Sequence, residues 1–278
     1  MNAQLKHLVE DYVNFWKEMK NLKQGQGPYI HPADRDYLSQ KKELWFRAKD
    51  ASKYDHDRDA KKIHVDLMPS PYMGDIMNAK IIIFMGNPGI EKPKKGVATP
   101  REYLDHKKTI LWDALVSTIH QDLSSPSMAD YPYLFLNPEM VDTAGGRYDK
   151  SMYGGCIKHL QNHFQDGRKV LAKNICKIQL YPYHSTSKPG DSKDDPDSFL
   201  MNTPSYQRAI KFLAEFLPAI VKEQGKLIIA TRWIDCFDGL LRIDDNVTIA
   251  KYPRLVRTCF SNEFKDTILQ HLHANSNS

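Results

Sequence analysis

The feature that most constrains this chain is a short apolar run that ends abruptly. Lys80-Ile81-Ile82-Ile83-Phe84-Met85 gives way at once to Gly86-Asn87-Pro88-Gly89. Ile81 to Phe84 is continuous, β-branched for most of its length and bounded by turn residues, so it predicts a strand buried on both faces. Such a strand needs covering layers, and in α/β folds helices supply them. The turn bends the backbone at the strand's C-terminal end, which is where open α/β sheets bind ligands. It presents the Asn87 amide beside backbone N–H groups, a pairing that can hold a water and an anion together.

The remaining pattern alternates helix and strand. Residues 4–23 carry Leu5, Leu8, Val9, Tyr12, Val13, Phe15, Trp16 and Met19 at helical spacing, and residues 35–50 continue it through Tyr37, Leu38, Leu44, Trp45 and Phe46. Residues 1–62 therefore read as a helical N-terminal extension packed on the core, and 63–278 as an α/β domain. Beyond the first strand the sequence predicts a helix over 101–122, then a short strand or extended loop at Tyr131 to Asn137. A helix at 156–173 and a strand at 175–181 follow, then a polar, Pro-rich loop at 185–204. A helix at 205–224, interrupted or kinked near Pro218, precedes strands at 226–231 and 247–251 and a helix at 262–273. This alternation predicts a mostly parallel sheet with helices on both faces.

Composition narrows the function. The 278 residues suffice for one large α/β domain with additions, or two small ones. Hydrophobic content of 41% and charged content of 26% fit a soluble globular protein. No apolar run reaches spanning length and no signal peptide is visible, so a cytoplasmic protein without a membrane partner is expected. Cys156, Cys176, Cys236 and Cys259 are widely spaced, which disfavours a structural zinc or an iron–sulfur cluster and predicts reduced thiols. His159 and His163 sit at i, i+4, but they lack the Glu of a zinc hydrolase and show no third ligand in sequence. No phosphate-binding or dinucleotide-binding glycine pattern is present. No metal or cofactor is expected. The net charge of +5 is compatible with a polyanionic partner without establishing one.

The Asn87-Pro88-Gly89 turn at a strand end, approached by Pro71-Tyr72-Met73-Gly74-Asp75, resembles the first active-site motif of the uracil-DNA glycosylase superfamily. The resemblance continues in order through Ile175 to Ser185, Lys226 to Thr231 and the basic loop Tyr252-Pro253-Arg254-Leu255-Val256-Arg257. It implies a three-layer α/β/α sandwich with a central, mostly parallel sheet of the uracil-DNA glycosylase type. It also implies a monomeric, monofunctional DNA glycosylase. Such a hydrolase flips a base out of DNA and cleaves its N-glycosidic bond, leaving an abasic site.

Roles follow on that expectation. Asn87 would orient the attacking water, and His184, just past the strand 175–181, would stabilise the departing base or protonate it. Phe84 or Tyr72 would stack on the base, Gln179 would read its edge, and Asn137 is a weaker candidate for that task. Gly86 and Gly89 would line the substrate site. Arg254 and Arg257 flanking Leu255 suit a duplex probe, the arginines on phosphates and the leucine in the vacated stack. Lys94 and Lys95, with Lys92 and Arg101, would clamp the same backbone. The superfamily often keeps a His in its last motif, and this sequence has Tyr252-Pro253 there. Strict uracil enzymes carry a bulky aromatic where this chain has Gly89, so the wall facing the pyrimidine 5-position is expected to be open. The base stays open between uracil, as in repair, and a modified pyrimidine such as glycosylated hydroxymethylcytosine, as in antiviral defence. A third reading is a non-catalytic nucleic-acid or nucleotide-binding protein on the same fold.

Overall fold

The structure is a computed structural model that describes residues 3–55, 59, 61–86, 88, 109–140, 153–185, 199–221, 226–231, 249–252 and 262–274. Its main helices are α1 (Ala3–Trp16), α2 (Thr109–His120), α3 (Gly154–Gln161), α4 (Gly167–Asn174), α5 (Pro204–Val221) and α6 (Asn262–Ala274). Its strands are β1 (Trp45–Phe46), β2 (Ile63–His64), β3 (Tyr72–Met73), β4 (Ile81–Met85), β5 (Ile175–Gln179), β6 (Leu227–Thr231) and β7 (Ile249–Tyr252).

A mixed five-stranded sheet in the order β3-β5-β4-β6-β7 forms the centre. Edge strand β3 runs antiparallel to β5, and the other neighbours are parallel. The run 81–85 is β4, and all five of its residues are buried, as a strand covered on both faces must be. Among the parallel strands β4 comes first in the chain, β5 lies on one side of it, and β6 then β7 lie on the other. The direction of chain progression therefore reverses between β4 and β6, which makes the C-terminal ends of these two strands a topological switch point.

Register assigns the faces. Ile83 pairs with Lys177 and Met85 with Gln179, so these four share one face, while Phe84 pairs with Ile178 on the other. Tyr72 pairs with Ile178 and lies on that second face. There α1 supplies Tyr12, whose ring meets Tyr72 edge-on at 5.9 Å and stacks on Phe212 of α5 at 4.2 Å. On the opposite face Tyr133 and Tyr153, the latter just before α3, lie over the Lys177 ammonium at 5.2 and 5.7 Å. Helices thus pack around both faces of the sheet. In α1, Leu5, Val9, Tyr12, Val13 and Trp16 form one buried stripe at helical spacing and belong to the same core cluster as β4 and β5.

Gly74 shows why the approach to β4 needs glycine. Its φ is +104°, and a Cβ there would lie 2.3 Å from the Ile175 carbonyl oxygen.

The structure differs from the sequence reading in several places, beginning with α1, which ends at Trp16 although helical spacing reads on to residue 23. Residues 35–50 do not form one helix: a short helix over Arg35–Ser39 and a turn at Lys42–Leu44 lead into β1, which pairs in parallel with β2. Leu44, Trp45 and Phe46 are consecutive, a spacing that no single helix face can bury. The Asp66 side chain then holds the exit from β1 by accepting from Arg47 Nη1 at 2.6 Å and from the Ala48 amide at 2.8 Å. Tyr131 to Asn137 is neither strand nor open loop but contains a 3-10 turn at Leu134–Leu136, both ends of which are buried. The expected helix over 156–173 is two helices. Asp166 caps α4 by accepting from the Lys169 amide at 2.9 Å, and Gly167 lets α4 start against α3, where a Cβ would sit 2.6 Å from the Gln161 nitrogen. Finally, α5 continues past Pro218 to Val221. Among the described residues no helix is long and apolar enough to cross a membrane.

Candidate functional site

The candidate site is the C-terminal edge of the parallel strands, and the segment leaving β5 defines it. The ladder between β4 and β5 does not stop where the strands do. The Leu180 amide donates to the Met85 carbonyl at 3.0 Å, and the Tyr181 amide donates to the Gly86 carbonyl at 2.7 Å. The first residue of the Gly86 turn is thus tied to the chain that carries His184. Gly86 follows the end of β4 at the topological switch point.

The β5 exit is then fixed residue by residue. The Pro182 carbonyl accepts from the Ser70 amide at 2.8 Å, and the His184 carbonyl accepts from the His64 amide at 2.9 Å. The Tyr183 hydroxyl donates to Asp34 Oδ2 and accepts from the His31 amide at 3.2 Å. Asp34 Oδ1 accepts from the Ser205 amide, at the start of α5, at 2.8 Å. Burial and the adjacent Asp34 push the Tyr183 hydroxyl well above its ordinary pKa, so it remains a donor. The outcome is a segment whose position is set by β4, β2, the 31–34 turn and α5 together. A rigid strand exit suits a site that must hold a small group in place.

Two buried histidines support this segment. His31 Nδ1 accepts from the Ala33 amide, so Nε2 carries the proton that it donates to the Phe15 carbonyl at 2.8 Å. Burial lowers its pKa and keeps the ring neutral. His64, 4.7 Å from the Phe46 ring, is pushed down to about 3 by burial against the smaller opposing pull of Asp59. His184 itself is half-buried, and its Nδ1 is closed off from water.

On the Lys177 face the last residue of β5 is Gln179. Its side chain is 6% exposed, and its Oε1 accepts no hydrogen bond from the described residues. Asn137 is 1% exposed; its Oδ1 accepts from the Glu139 amide at 3.0 Å, while its Nδ2 donates to none of the described residues. Buried polar atoms without partners are uncommon and point to a ligand, a bound water or stored strain. A buried acceptor on Gln179 and a buried donor on Asn137 are complementary to groups that nucleobase edges carry.

The sequence-selected residues divide as follows. Gly86 follows the last residue of β4, Gln179 is the last residue of β5, and His184 lies five residues past it. Phe84 is fully buried within β4. Tyr72 is also fully buried, with its ring against Tyr12 and its hydroxyl donating to the Ile119 carbonyl, so the described packing commits it to the core. Asn87, Gly89, Lys94, Lys95, Arg254, Leu255 and Arg257 lie outside the described residues. Sequence reasoning missed Lys177, which is 6% exposed two residues before Gln179. The signal was there: Lys177 and Gln179 are the two polar residues of Ile175-Cys176-Lys177-Ile178-Gln179, and a period of two places both on one face. A cleft of about 360 Å³ between α1, the 75–78 turn and Gln121 to Leu123 lies near the start of β4 and away from these residues. Compared with protein-family models, curated proteins and solved structures, the chain finds no match in any of the three.

Proposed function

We propose that the protein is a DNA glycosylase that hydrolyses the N-glycosidic bond of a flipped-out pyrimidine. The observation that carries this reading is the end of β4 at the switch point of the sheet, where the Gly86 carbonyl accepts from the Tyr181 amide of the β5 exit and Asn87-Pro88-Gly89 comes next in sequence. The sequence resemblance to the uracil-DNA glycosylase superfamily and the partnerless Gln179 Oε1 support it.

In this mechanism the C1′–N bond breaks with its electron pair going to the base. Water oxygen then bonds to C1′, and the water's proton ends on the base or in solvent. An amide takes up no proton near neutral pH, so Asn87 orients the water and the base departs early. His184 stabilises the negative charge on the leaving base. Gln179 Oε1 accepts from a ring N–H or exocyclic amine of the pyrimidine. Gly89 leaves the wall at the 5-position open, which favours a modified pyrimidine such as glycosylated hydroxymethylcytosine over uracil alone. On this reading the protein works as a cytoplasmic monomer on DNA, and the finer fold is of the uracil-DNA glycosylase type.

The test uses oligonucleotides carrying uracil, hydroxymethylcytosine, glucosylated hydroxymethylcytosine or cytosine, single- and double-stranded, scored by alkaline cleavage at abasic sites. Alkali-dependent breaks at one modified base are expected. Asn87→Ala should slow single-turnover excision at least ~100-fold, the scale of losing one preorganised polar group. No base release from any substrate would overturn the reading. It would favour instead a binding protein on this fold, a reading supported by Tyr252 standing where the superfamily often has its late His.

A further inference from the structure

The pair His159 and His163 lacks a third ligand in sequence, but the fold brings one. His159 lies in α3, His163 in the turn after it, and His273 in the last turn of α6. One ring nitrogen from each lies within 4.8 Å of the other two. We propose that these three imidazoles form a zinc-binding site that ties α6 to α3, independent of any glycosylase activity.

The ring geometry accommodates a shared ion. Three imidazoles on one tetrahedral zinc, with Zn–N of about 2.0–2.1 Å, have ring centroids about 5 Å apart and ligand nitrogens about 3.3 Å apart. Here the centroids are 5.2 Å apart for His159 and His163, 4.6 Å for His163 and His273, and 5.5 Å for His159 and His273. The rings are already at ligand spacing, and small side-chain rotations would bring the nitrogens together. The Phe164 ring stacks on His273 at 6.1 Å and 22°, restricting that ring.

The helices that carry the ligands run side by side. A Cβ on Gly155, early in α3, would lie 3.1 Å from the Lys265 side chain, early in α6. The histidines come together toward the other ends of the same two helices. Gly155 and His163 are eight positions apart, as are Lys265 and His273, so the two helices advance in step. An all-imidazole set suits zinc better than magnesium or calcium, which take oxygen ligands. Three protein ligands leave a fourth position for water.

The experiment uses the full chain without a polyhistidine tag, stripped with chelator and desalted. Zinc is titrated in competition with a chromophoric chelator. One zinc per chain is expected. His273→Ala and His159→Ala should each weaken binding more than ~100-fold, beyond the 10–100-fold that losing an outer-shell partner costs. His7→Ala, an exposed histidine on α1, should leave binding unchanged. Zinc should raise the melting temperature of the wild type and not that of His159→Ala. Absence of stoichiometric binding, or equal affinity in His273→Ala and wild type, would overturn the site. So would an equal zinc-induced rise in melting temperature in His159→Ala.

Discussion

Beyond the end of β5, the Tyr183 hydroxyl and both Asp34 side-chain oxygens are spent on one another and on the His31 and Ser205 amides. At the end of β5 itself, Gln179 is almost as deeply buried and keeps an acceptor unused, as Asn137 keeps a donor. The two clusters cost the fold differently. A satisfied buried network rigidifies its surroundings, and here it pins the segment that positions His184. An unsatisfied buried group is a standing cost, of about 1–3 kcal/mol, that a ligand can relieve. The first group therefore reads as scaffold and Gln179 as the candidate site group, although Tyr183 and Gln179 are both polar, buried and four positions apart in the chain.

The contrast breaks most readily at Asp34. Asp34→Ala orphans the buried Tyr183 hydroxyl and the Ser205 amide together, and should cost about 3–5 kcal/mol of stability in urea denaturation. A loss below about 1 kcal/mol would remove the scaffold role.

Acid probes the neighbouring histidine. The folded pKa of His64 lies below its unfolded value, so below about pH 6.5 the unfolded chain takes up a proton that the folded chain refuses. Stability is intact above that pH and falls by up to about 1.4 kcal/mol per pH unit as pH drops toward 3. Denaturation midpoints at a series of pH values should show this slope, and His64→Gln should flatten it. An equal slope in the variant would assign the acid sensitivity to other groups.

The smallest stability effect is expected at the site. Gln179→Leu removes a buried acceptor that has no partner, so stability should stay within about 1 kcal/mol of wild type or rise slightly. Base excision should fall in the same variant. A destabilisation comparable to that of Asp34→Ala would move Gln179 into the scaffold.

How much of this was legible beforehand depends on the range of the interactions. The buried strand 81–85 and the amphipathic face of α1 follow from local pattern, and both lie where the pattern put them. The break between α3 and α4 was hidden because its apolar spacing reads straight through. Only the Asp166 cap and the close approach at Gly167 show the interruption. β1 was hidden because its partner, β2, lies well ahead in the chain and a two-residue strand has no period of its own.

By itself, then, the sequence determined that an apolar strand must be buried between helices and must end in a turn offering an amide, because side-chain period and turn chemistry act over a few residues. Only the tertiary structure decided that β4 ends at the switch point, since strand order is a matter of long-range pairing. It alone separated Tyr183, whose polar atoms are used, from Gln179, whose acceptor is not, because satisfaction depends on partners as distant in sequence as Asp34 and Ser205. And it alone joined His273 to His159 and His163, since two helices far apart in the chain meet only when the core between them has formed.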